Sequence, residues 1–597
     1  MSESVLAFFR ACEEGKAPPG ERPAWLEDLA AAMVAELAFD VARARTLLER
    51  ARPSVPEGPF RNVLALLGLR VAVREAKAAS VSEACDGLER LLATLGEDER
   101  PTRARALHLL TIARMRLGRL ELAEEAISEA LALVDDAPVR VWMTDSMAQL
   151  LIGQGAWSEA VRTLVALVAR RREANDLLGV AISAGHLSRL HTQLGRPAQG
   201  AAIARDALLG LGPDAPLLTR LRLHTLITSA LLDHADAPTI EAAARALEEL
   251  VKQAATDPHY LRGYAMMTLA RARAAVQDEP GAHQWLERAA SELTLPAHVA
   301  LLRFHEAKVD PKKTRDAEWR SSFEKLVAAT DFVCEAEMRT LVLLAQHALE
   351  DGDEAAMRSR LEQAHRRAMQ SNNPLWMRWV DDATGELDPA ALSERIARRF
   401  SGRSRAELTQ TTREDVTIIF ADLVNFTPRT LELEPEDVME TVRGLFELGV
   451  PLMTKHRVTP VSYLGDGLLA VCQGPEHERR GLSFARDLVA RAGRVTRVRR
   501  TLANGWPLDL RAGVASGPVV LGTLGTLFKT EFAAIGVATN LAARLQSKAE
   551  PGEVMCAART ARAASFDHPA ETMKLKGFEK WDAIEACRIR VYTPEPS

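Results

Sequence analysis

The chain has 597 residues, of which 47% are hydrophobic and 26% are charged, and its formal net charge at pH 7 is −5. This length exceeds what one hydrophobic core organises, so we expect two or more domains. The negative charge argues against a nucleic-acid-binding protein, which is usually basic. The six cysteines include no C-x-x-C pair, a pattern that favours free thiols in a reducing cytoplasm over a disulfide framework or a zinc site.

Long apolar stretches are not found in the sequence. The first apolar run, residues 5–9, ends at Arg10 and is too short for a signal peptide. No later run reaches the length that a bilayer requires. We therefore expect a cytoplasmic protein without a membrane anchor.

Residues 1–387 are predicted to be helical, because alanine, leucine, arginine and glutamate dominate and prolines fall mostly between helices. Turn glycines recur at Gly118, Gly155 and Gly195, at spacings of 155 − 118 = 37 and 195 − 155 = 40 residues, with a further copy at Gly352. After the first three, a small residue follows five places later.

This pattern is similar to tetratricopeptide repeats of a longer, irregular kind. It predicts an all-α solenoid with a groove for a protein or peptide partner. A plain irregular helical bundle is the alternative. The repeat register between about 215 and 335 stays open, and residues 278–281 (Asp-Glu-Pro-Gly) are a candidate degenerate turn.

A linker is predicted over residues 388–413. It begins with a short amphipathic helix from Pro389 and continues as Ser-Gly-Arg-Ser-Arg at 401–405, which is typical of a loop. The predicted domains are therefore 1–387 and 414–597.

Two acids mark the start of the second domain. Asp422 ends the apolar, β-branched run from Val416 and precedes a predicted helix, while Asp466 lies between two glycines in a predicted hairpin turn. Two carboxylates at neighbouring strand ends would form a two-metal site. The alternatives are a helix N-cap for Asp422 and an ordinary turn residue for Asp466.

The predicted elements that follow run strand-helix-strand-strand-helix-strand, which is the ferredoxin-like α+β unit. Five motifs accompany this order: Phe-Ala-Asp-Leu-Val-Asn-Phe-Thr at 420–427, Leu-Gly-Asp-Gly at 464–467, Leu-Arg-Ala-Gly-Val-Ala-Ser-Gly-Pro-Val at 510–519, Ile-Gly at 535–536 and Asn-Leu-Ala-Ala-Arg-Leu at 540–545. Together they make residues 413–593 resemble the catalytic domain of class III adenylate and guanylate cyclases.

This resemblance implies that a nucleoside triphosphate is converted to its 3′,5′-cyclic monophosphate and pyrophosphate. ATP is favoured by family frequency alone, and the helical repeats would be the regulatory module. The resemblance also implies that Asp422 and Asp466 hold two Mg²⁺ or Mn²⁺ ions.

Asn540 and Arg544 lie four residues apart and therefore share one helix face. The resemblance implies that Asn540 orients the ribose and that Arg544 stabilises transition-state charge on the α-phosphate. A polar surface face is the alternative. The family takes its acids and its asparagine–arginine pair from two catalytic domains, so this chain, with one such domain, should form a homodimer.

Further substrate contacts are expected at Phe426 and Thr427, where the helix after the first strand begins. Arg511 matches a family arginine on the terminal phosphates, with a surface charge at a strand end as the alternative. Lys576 or Lys580 would match the phosphate-binding lysine, and the sequence does not distinguish them.

The base-recognition positions depart from the family pattern. Ser462 and Ala533 stand where members that use ATP carry a lysine and an aspartate or threonine, and these side chains cannot make the same hydrogen bonds. Base specificity therefore stays open, and a cyclase for another base is one alternative. The departure also motivates a second hypothesis, in which a catalytically weak or inactive domain senses nucleotide or dimerises on the repeat scaffold.

Overall fold

The computed structural model describes residues 2–13, 23–37, 40–75, 78–134, 137–212, 215–232, 234–254, 260–329, 335–401, 412–430, 434–502, 506–525, 530–578 and 583–594. Two compact units are formed, one from residues 1–153 and 160–353, the other from residues 154–159 and 354–597. In the described part of the chain, no helix combines the length and apolar character that crossing a membrane requires.

The first unit is built from helices. They are α1 Ser2–Glu13, α2 Ala24–Leu37, α3 Val41–Ala51, α4 Pro59–Glu75, α5 Ala78–Thr94, α6 Arg100–Arg116, α7 Leu120–Leu133, α8 Ala137–Gly153, α9 Trp157–Glu173, α10 Leu177–Gln193, α11 Pro197–Leu211, α12 Leu217–Leu231, α13 Ala237–Gln253, α14 Tyr260–Ala275, α15 Glu279–Ala290, α16 Pro296–Val309, α17 Ala317–Ala329 and α18 Glu335–Glu350. The first three residues of α9 belong to the second unit.

Short turns join these helices into pairs. Each predicted turn glycine adopts the left-handed backbone that favours glycine, with φ between 73° at Gly155 and 78° at Gly118. The small residue five places on lets the paired helices approach, since a Cβ on Gly200 would lie 2.6 Å from the Ser188 carbonyl oxygen. The helical-repeat prediction is thus confirmed, while membership of the tetratricopeptide class stays a prediction.

Within the stretch whose register the sequence left open, the structure defines the turn between α14 and α15. The turn between α14 and α15 uses Gln277 at φ 62° in place of glycine. Asp278 then caps α15 by accepting a hydrogen bond from the Gly281 N–H at 3.0 Å. The motif at 278–281 is therefore a helix start that follows the turn.

The first helices of successive pairs pack side by side. We call this set, α4, α6, α8, α10, α12, α14 and α16, the first-helix layer. Polar side chains from different pairs can therefore meet along this layer.

The second unit combines helices with a mixed sheet. Its elements are α19 Glu354–Ser371, α20 Pro374–Leu387, α21 Pro389–Ser401, β1 Thr412–Leu423, α22 Phe426–Thr430, α23 Pro435–His456, β2 Val458–Leu464, β3 Gly467–Cys472, α24 His477–Leu502, β4 Leu510–Gly525, β5 Thr530–Gly536, α25 Val537–Gln546, β6 Glu553–Ala557, α26 Ala558–Ala563, β7 Ala570–Met573 and β8 Ile584–Arg590.

The sheet has the strand order β2-β3-β1-β4-β6-β8-β7, and β5 pairs with β4. β1 lies antiparallel to both β3 and β4, while β4 and β6 are parallel. Apart from the short α22, the order from β1 to β4 is strand-helix-strand-strand-helix-strand, so the ferredoxin-like α+β prediction is confirmed.

Both faces of β1 are covered, because alternate side chains point to opposite sides of a strand. Val416 and Ile418 pack in one core with Leu541 and Leu545 of α25. On the opposite face, a Cβ on Gly481 of α24 would lie 2.7 Å from the Thr417 side chain. This burial fixes β1 rigidly and thereby fixes the position of Asp422 at its end.

Candidate active site

Three strands bring the predicted acids together. Asp422 lies near the end of β1 and pairs in register with Gly467 of β3 and Arg511 of β4. Asp466 occupies the turn immediately before β3, where Gly465 has φ 68°. The antiparallel pairing of β1 with β3 therefore places both acids at one end of the sheet.

The two carboxyl groups interact strongly. Burial, and then the negative charge of Asp422, raise the pKa of Asp466 to about 6, while Arg511 acts in the opposite direction. Like charges this close are stabilised by a proton or by a cation. The electrostatics thus fit a cation between the two acids.

Two side chains hold the Asp422 carboxylate in place. Gln546, at the end of α25, donates from Nε2 to Asp422 Oδ2 at 2.9 Å. Arg511 donates from Nη2 to the same oxygen at 3.3 Å. Both donors engage Oδ2, which leaves the other oxygen, Oδ1, to bind a cation.

Gln546 is a site residue that no motif in the sequence predicted. Its helix was predicted, but it lies outside the recognised motif. The signal that pointed to it is Gly513 of β4, since a Cβ there would lie 2.3 Å from the Gln546 backbone nitrogen. Only glycine lets α25 lie this close to the sheet, and the close approach brings Gln546 to Asp422.

The described residues of one chain do not provide a complete set of side-chain metal ligands. Among the described residues, no group of three or more histidine, cysteine, aspartate or glutamate side chains could hold a metal ion. The ligands beyond Asp422 and Asp466 would therefore be backbone carbonyls, water or substrate oxygens, as is common for Mg²⁺ at phosphate sites.

Asn540 and Arg544 lie apart from these acids. Both are on α25 and both are exposed, whereas Gln546 on the same helix is buried against Asp422. Residues 544 and 546 are two positions apart and thus point in nearly opposite directions on a helix. One chain alone therefore does not unite the asparagine–arginine pair with the acids.

The remaining predicted residues are spread around this end of the sheet. The Phe426 ring stacks on Trp506 with centroids 5.4 Å apart, and the Thr427 backbone lies in α22. Lys576 is exposed in the turn after β7, whereas Lys580 lies outside the described residues.

The two base-recognition positions lie on different strands. Ser462 follows a register shift in β2, and Ala533 of β5 pairs with Gly522 of β4. Both side chains are only partly buried. The structure therefore gives no described polar partner that would restore the missing lysine or acid at either position.

Comparison with known proteins identifies the C-terminal part of the chain. Residues 408–583 match the family model described as the adenylate and guanylate cyclase catalytic domain. An adenylate cyclase from Mycobacterium tuberculosis is 26% identical over 170 residues, covering 28% of this chain and 36% of that protein. A receptor-type guanylate cyclase from Caenorhabditis elegans is 32% identical over 158 residues, covering 25% of this chain and 14% of that protein.

A solved structure matches a similar share of this chain. The guanylate cyclase domain of a rhodopsin–guanylyl cyclase from Catenaria anguillulae, solved with GTP, is 25% identical to this chain, and the TM-score is 0.27. The match covers 30% of this chain and 97% of the Catenaria chain. The chain spans about a third of the length of the mycobacterial relative. The cyclase domain family generally uses divalent metal ions. Residues 408–583 therefore form a class III adenylate and guanylate cyclase catalytic domain.

Proposed function

We propose that the whole chain is a cytoplasmic nucleotidyl cyclase, which converts a nucleoside triphosphate to its 3′,5′-cyclic monophosphate and pyrophosphate. The observation that carries this proposal is the pair of interacting carboxylates, Asp422 and Asp466, at one end of the sheet, where Gln546 and Arg511 hold Asp422. A domain that had lost catalysis would have no need to keep two acids in such an unfavourable arrangement.

Divalent cations fit this pair of acids, and we propose two ions, Mg²⁺ or Mn²⁺, for each site. When bound, they would lower the pKa of the ribose 3′-hydroxyl and neutralise the triphosphate charge. Asp422 and Asp466 would hold them, because hard cations prefer carboxylate oxygens.

The remaining residues would bind and orient the substrate. The reaction forms a bond from O3′ to the α-phosphorus and breaks the bond from that phosphorus to the pyrophosphate oxygen, while the 3′-hydroxyl proton leaves to solvent. Asn540 would orient the ribose, and Arg544 would stabilise the charge that develops on the α-phosphate. Arg511 and one of the two lysines, Lys576 or Lys580, would contact the terminal phosphates, and Phe426 and Thr427 would border them.

A homodimer would complete the site. Asn540 and Arg544 are exposed on α25 and point away from Asp422, as expected if they serve the acids of a second copy. Apolar side chains near this helix are also exposed, among them Ile535 at 57% and Val537 at 53%. Buried apolar contact in a dimer would account for them.

Mixing two inactive variants tests this dimer. Asp422→Ala and Arg544→Ala should each be inactive alone. After the two are mixed and allowed to exchange subunits, half of the dimers are mixed, and each mixed dimer has one intact site of two. Activity should therefore recover to about one quarter of the wild-type value. No recovery between demonstrably exchanging dimers would contradict the shared site.

ATP is the proposed substrate, although Ser462 and Ala533 do not supply the usual adenine contacts. The deciding experiment incubates the full chain with Mn²⁺ and each of ATP, GTP, CTP and UTP separately, and measures cyclic product by mass spectrometry. Product from ATP, absent in Asp466→Asn, supports the proposal. Product from another nucleotide alone would correct the substrate, and no product from a folded dimer would overturn the activity.

The helical repeats would regulate this activity by binding a protein or peptide partner. That partner stays a prediction, since no described contact identifies it.

A further inference from the structure

Arginines accumulate on the first-helix layer of the first unit. α4 carries Arg70 and Arg74, α6 carries Arg105 and Arg116, α10 carries Arg189, and α12 carries Arg222. These helices lie next to one another or next to α8 in the layer. Six positively charged side chains, carried by four helices of separate repeats, thus lie in this layer.

The acids nearby balance only part of this charge. Glu36 of α2 forms ion pairs with Arg70 at 2.6 Å and with Arg74 at 2.5 Å. Asp145 of α8 accepts a hydrogen bond from Ser183 Oγ at 2.6 Å and lies 3.7 Å from Arg171. These two acids are therefore already engaged by other side chains.

Three of the arginines have no acid partner. Among the described residues, no carboxylate oxygen lies within 4.0 Å of the guanidinium nitrogens of Arg116, Arg189 or Arg222. Unpaired guanidinium groups usually point into solvent, where water satisfies them. Arg189 is exposed, but Arg116 and Arg222 are mostly withdrawn from water.

Neutral groups hold these two arginines in place. Arg116 donates to the Val73 carbonyl oxygen, and its guanidinium carbon lies 5.2 Å from the centre of the Tyr260 ring. Arg222 donates to His186 Nε2 at 3.1 Å. His186 can accept because burial, and then the charge of Arg222, lower its pKa well below the usual value.

Burial is costly for both charged groups. It is the largest cause that lowers the pKa of Arg116 and of Arg222, and Tyr260, followed by the nearest acids, only partly opposes it. A guanidinium that is desolvated without an ion partner destabilises the fold. A bound anion would remove that cost.

The positive potential converges on one side chain. Burial alone would raise the pKa of Tyr260, but the charges of Arg116, Arg222, Arg74 and Arg189 together outweigh it and lower this pKa. Tyr260 is on α14, so charge from four other helices reaches a single tyrosine. A groove that binds an extended chain would spread its charges along the layer, whereas this focus suits a compact ligand.

A histidine beside Tyr260 has an unused polar atom. The ring of His298 stacks on Tyr260 with centroids 5.7 Å apart and 20° between the planes. His298 is 9% exposed, and its Nδ1 has no hydrogen-bond partner among the described residues. Buried polar atoms are rarely left unsatisfied, so this atom independently points to a missing ligand.

We propose that these residues form a binding site for a compact polyanion of the phosphate-ester class. We call the set Arg74, Arg116, Arg189, Arg222, Tyr260 and His298 the arginine cluster. Guanidinium groups recognise phosphate through paired N–H donors, and a ligand with several charges is needed to balance three unpaired arginines. This site is separate from the catalytic domain and does not depend on the proposed cyclase activity.

Inorganic pyrophosphate in EDTA is the test probe, titrated into the full chain by calorimetry. Because the catalytic site would need metal to hold pyrophosphate, EDTA suppresses binding there. We expect one site per chain, with affinity at least tenfold weaker in Arg116→Gln and in Arg222→Gln. Asp422→Asn should bind normally. Arg315→Gln is the matched control, since Arg315 is half exposed in the same unit and pairs with Glu350 and Asp351.

Thermal unfolding separates ligand binding from a structural role. Without pyrophosphate, Arg222→Gln should unfold at a higher temperature than the wild type, because an unpaired buried charge is gone; a structural arginine would give a lower one. Pyrophosphate should then raise the unfolding temperature of the wild type but not that of Arg222→Gln. The proposal would be overturned if the wild type does not bind pyrophosphate, or if Arg116→Gln and Arg222→Gln both bind it as tightly as the wild type. It would also be overturned if a hexaglutamate peptide binds more tightly than pyrophosphate.

Discussion

Glu159 and Arg499 form an ion pair in which each side chain retains only 1% of its exposure. Arg499 Nε donates to Glu159 Oε2 at 3.0 Å, and the guanidinium also donates to the Trp506 carbonyl oxygen. Residues 154–159 and α24 belong to the same compact unit. Since Trp506 stacks on Phe426, this ion pair supports the segment that follows Asp422.

Removing one charge of this pair should destabilise the second unit strongly. In Glu159→Gln the size of the side chain is kept, but Arg499 is left buried without a counter-charge. Breaking such a buried pair costs about 3–5 kcal/mol. Thermal unfolding monitored by tryptophan fluorescence should show a clearly lower transition temperature, and cyclase activity should fall because the support of Trp506 is weakened.

An exposed ion pair provides the control for this measurement. Asp206 and Arg172 are paired, but their side chains are 64% and 54% exposed. Asp206→Asn should therefore change stability by no more than about 1 kcal/mol. If both variants unfold at the same temperature as the wild type, the Glu159–Arg499 pair does not stabilise the unit.

Gln546→Ala should reduce activity with little effect on folding. The change removes the 2.9 Å hydrogen bond that orients Asp422, so the carboxylate would be less well placed for a cation. A positioning residue of this kind typically contributes about 10–100-fold. We expect a higher Mn²⁺ concentration at half-maximal activity, which a purely structural role would not produce. Lys548→Ala, an exposed change just after the same helix, should leave the Mn²⁺ dependence unaltered.

His108 should make the first unit sensitive to acid. Burial, and then the charges of Arg70, Arg105 and Arg74, lower the pKa of this histidine to about 3. As the pH falls below about 6.5, the unfolded chain takes up a proton that the folded chain does not, so stability decreases between pH 6.5 and pH 3. At pH 5 this loss is at most about 2 kcal/mol.

His108→Gln removes that contribution while keeping a side chain able to contact Ser146 Oγ, which lies 2.8 Å from His108 Nε2. Urea unfolding at pH 7.5 and pH 5 should show a smaller decrease in stability for the variant than for the wild type. An equal decrease in both proteins would mean that His108 is already protonated, or accessible to protons, in the folded state.

Local signals in the sequence were sufficient to predict the helices and strands and part of the candidate site. The turn glycines, β1 and the hairpin around Asp466 were predicted because glycine conformation and strand periodicity are local properties. The turn at Gln277 was missed because its left-handed residue is not glycine. Gln546 and the arginine cluster could not be predicted, since they depend on how closely α25 approaches β4 and on which helices become neighbours. Glu159 and Arg499 are 340 positions apart, and neither is in a motif.

Gly513→Ala tests whether the close approach of α25 to β4 builds the site. A Cβ there would lie 2.1 Å from the Ala542 carbonyl oxygen and 2.3 Å from the Gln546 nitrogen. Backbone atoms cannot swing aside as a side chain can, so α25 must shift, at a cost of about 1–3 kcal/mol or more. The shift would also withdraw Gln546 from Asp422, and we expect activity to fall at least tenfold.

Gly210→Ala is the matched change, because no atom lies within 4 Å of a Cβ at this position near the end of α11. It should leave activity unchanged and keep or raise stability, by up to about 1 kcal/mol, since alanine favours a helix over glycine. If Gly513→Ala is as active as this control, the site works even when α25 is displaced. In that case the contact between Gln546 and Asp422 would not be what positions the acid, and the Mn²⁺ dependence of Gln546→Ala should match the wild type as well.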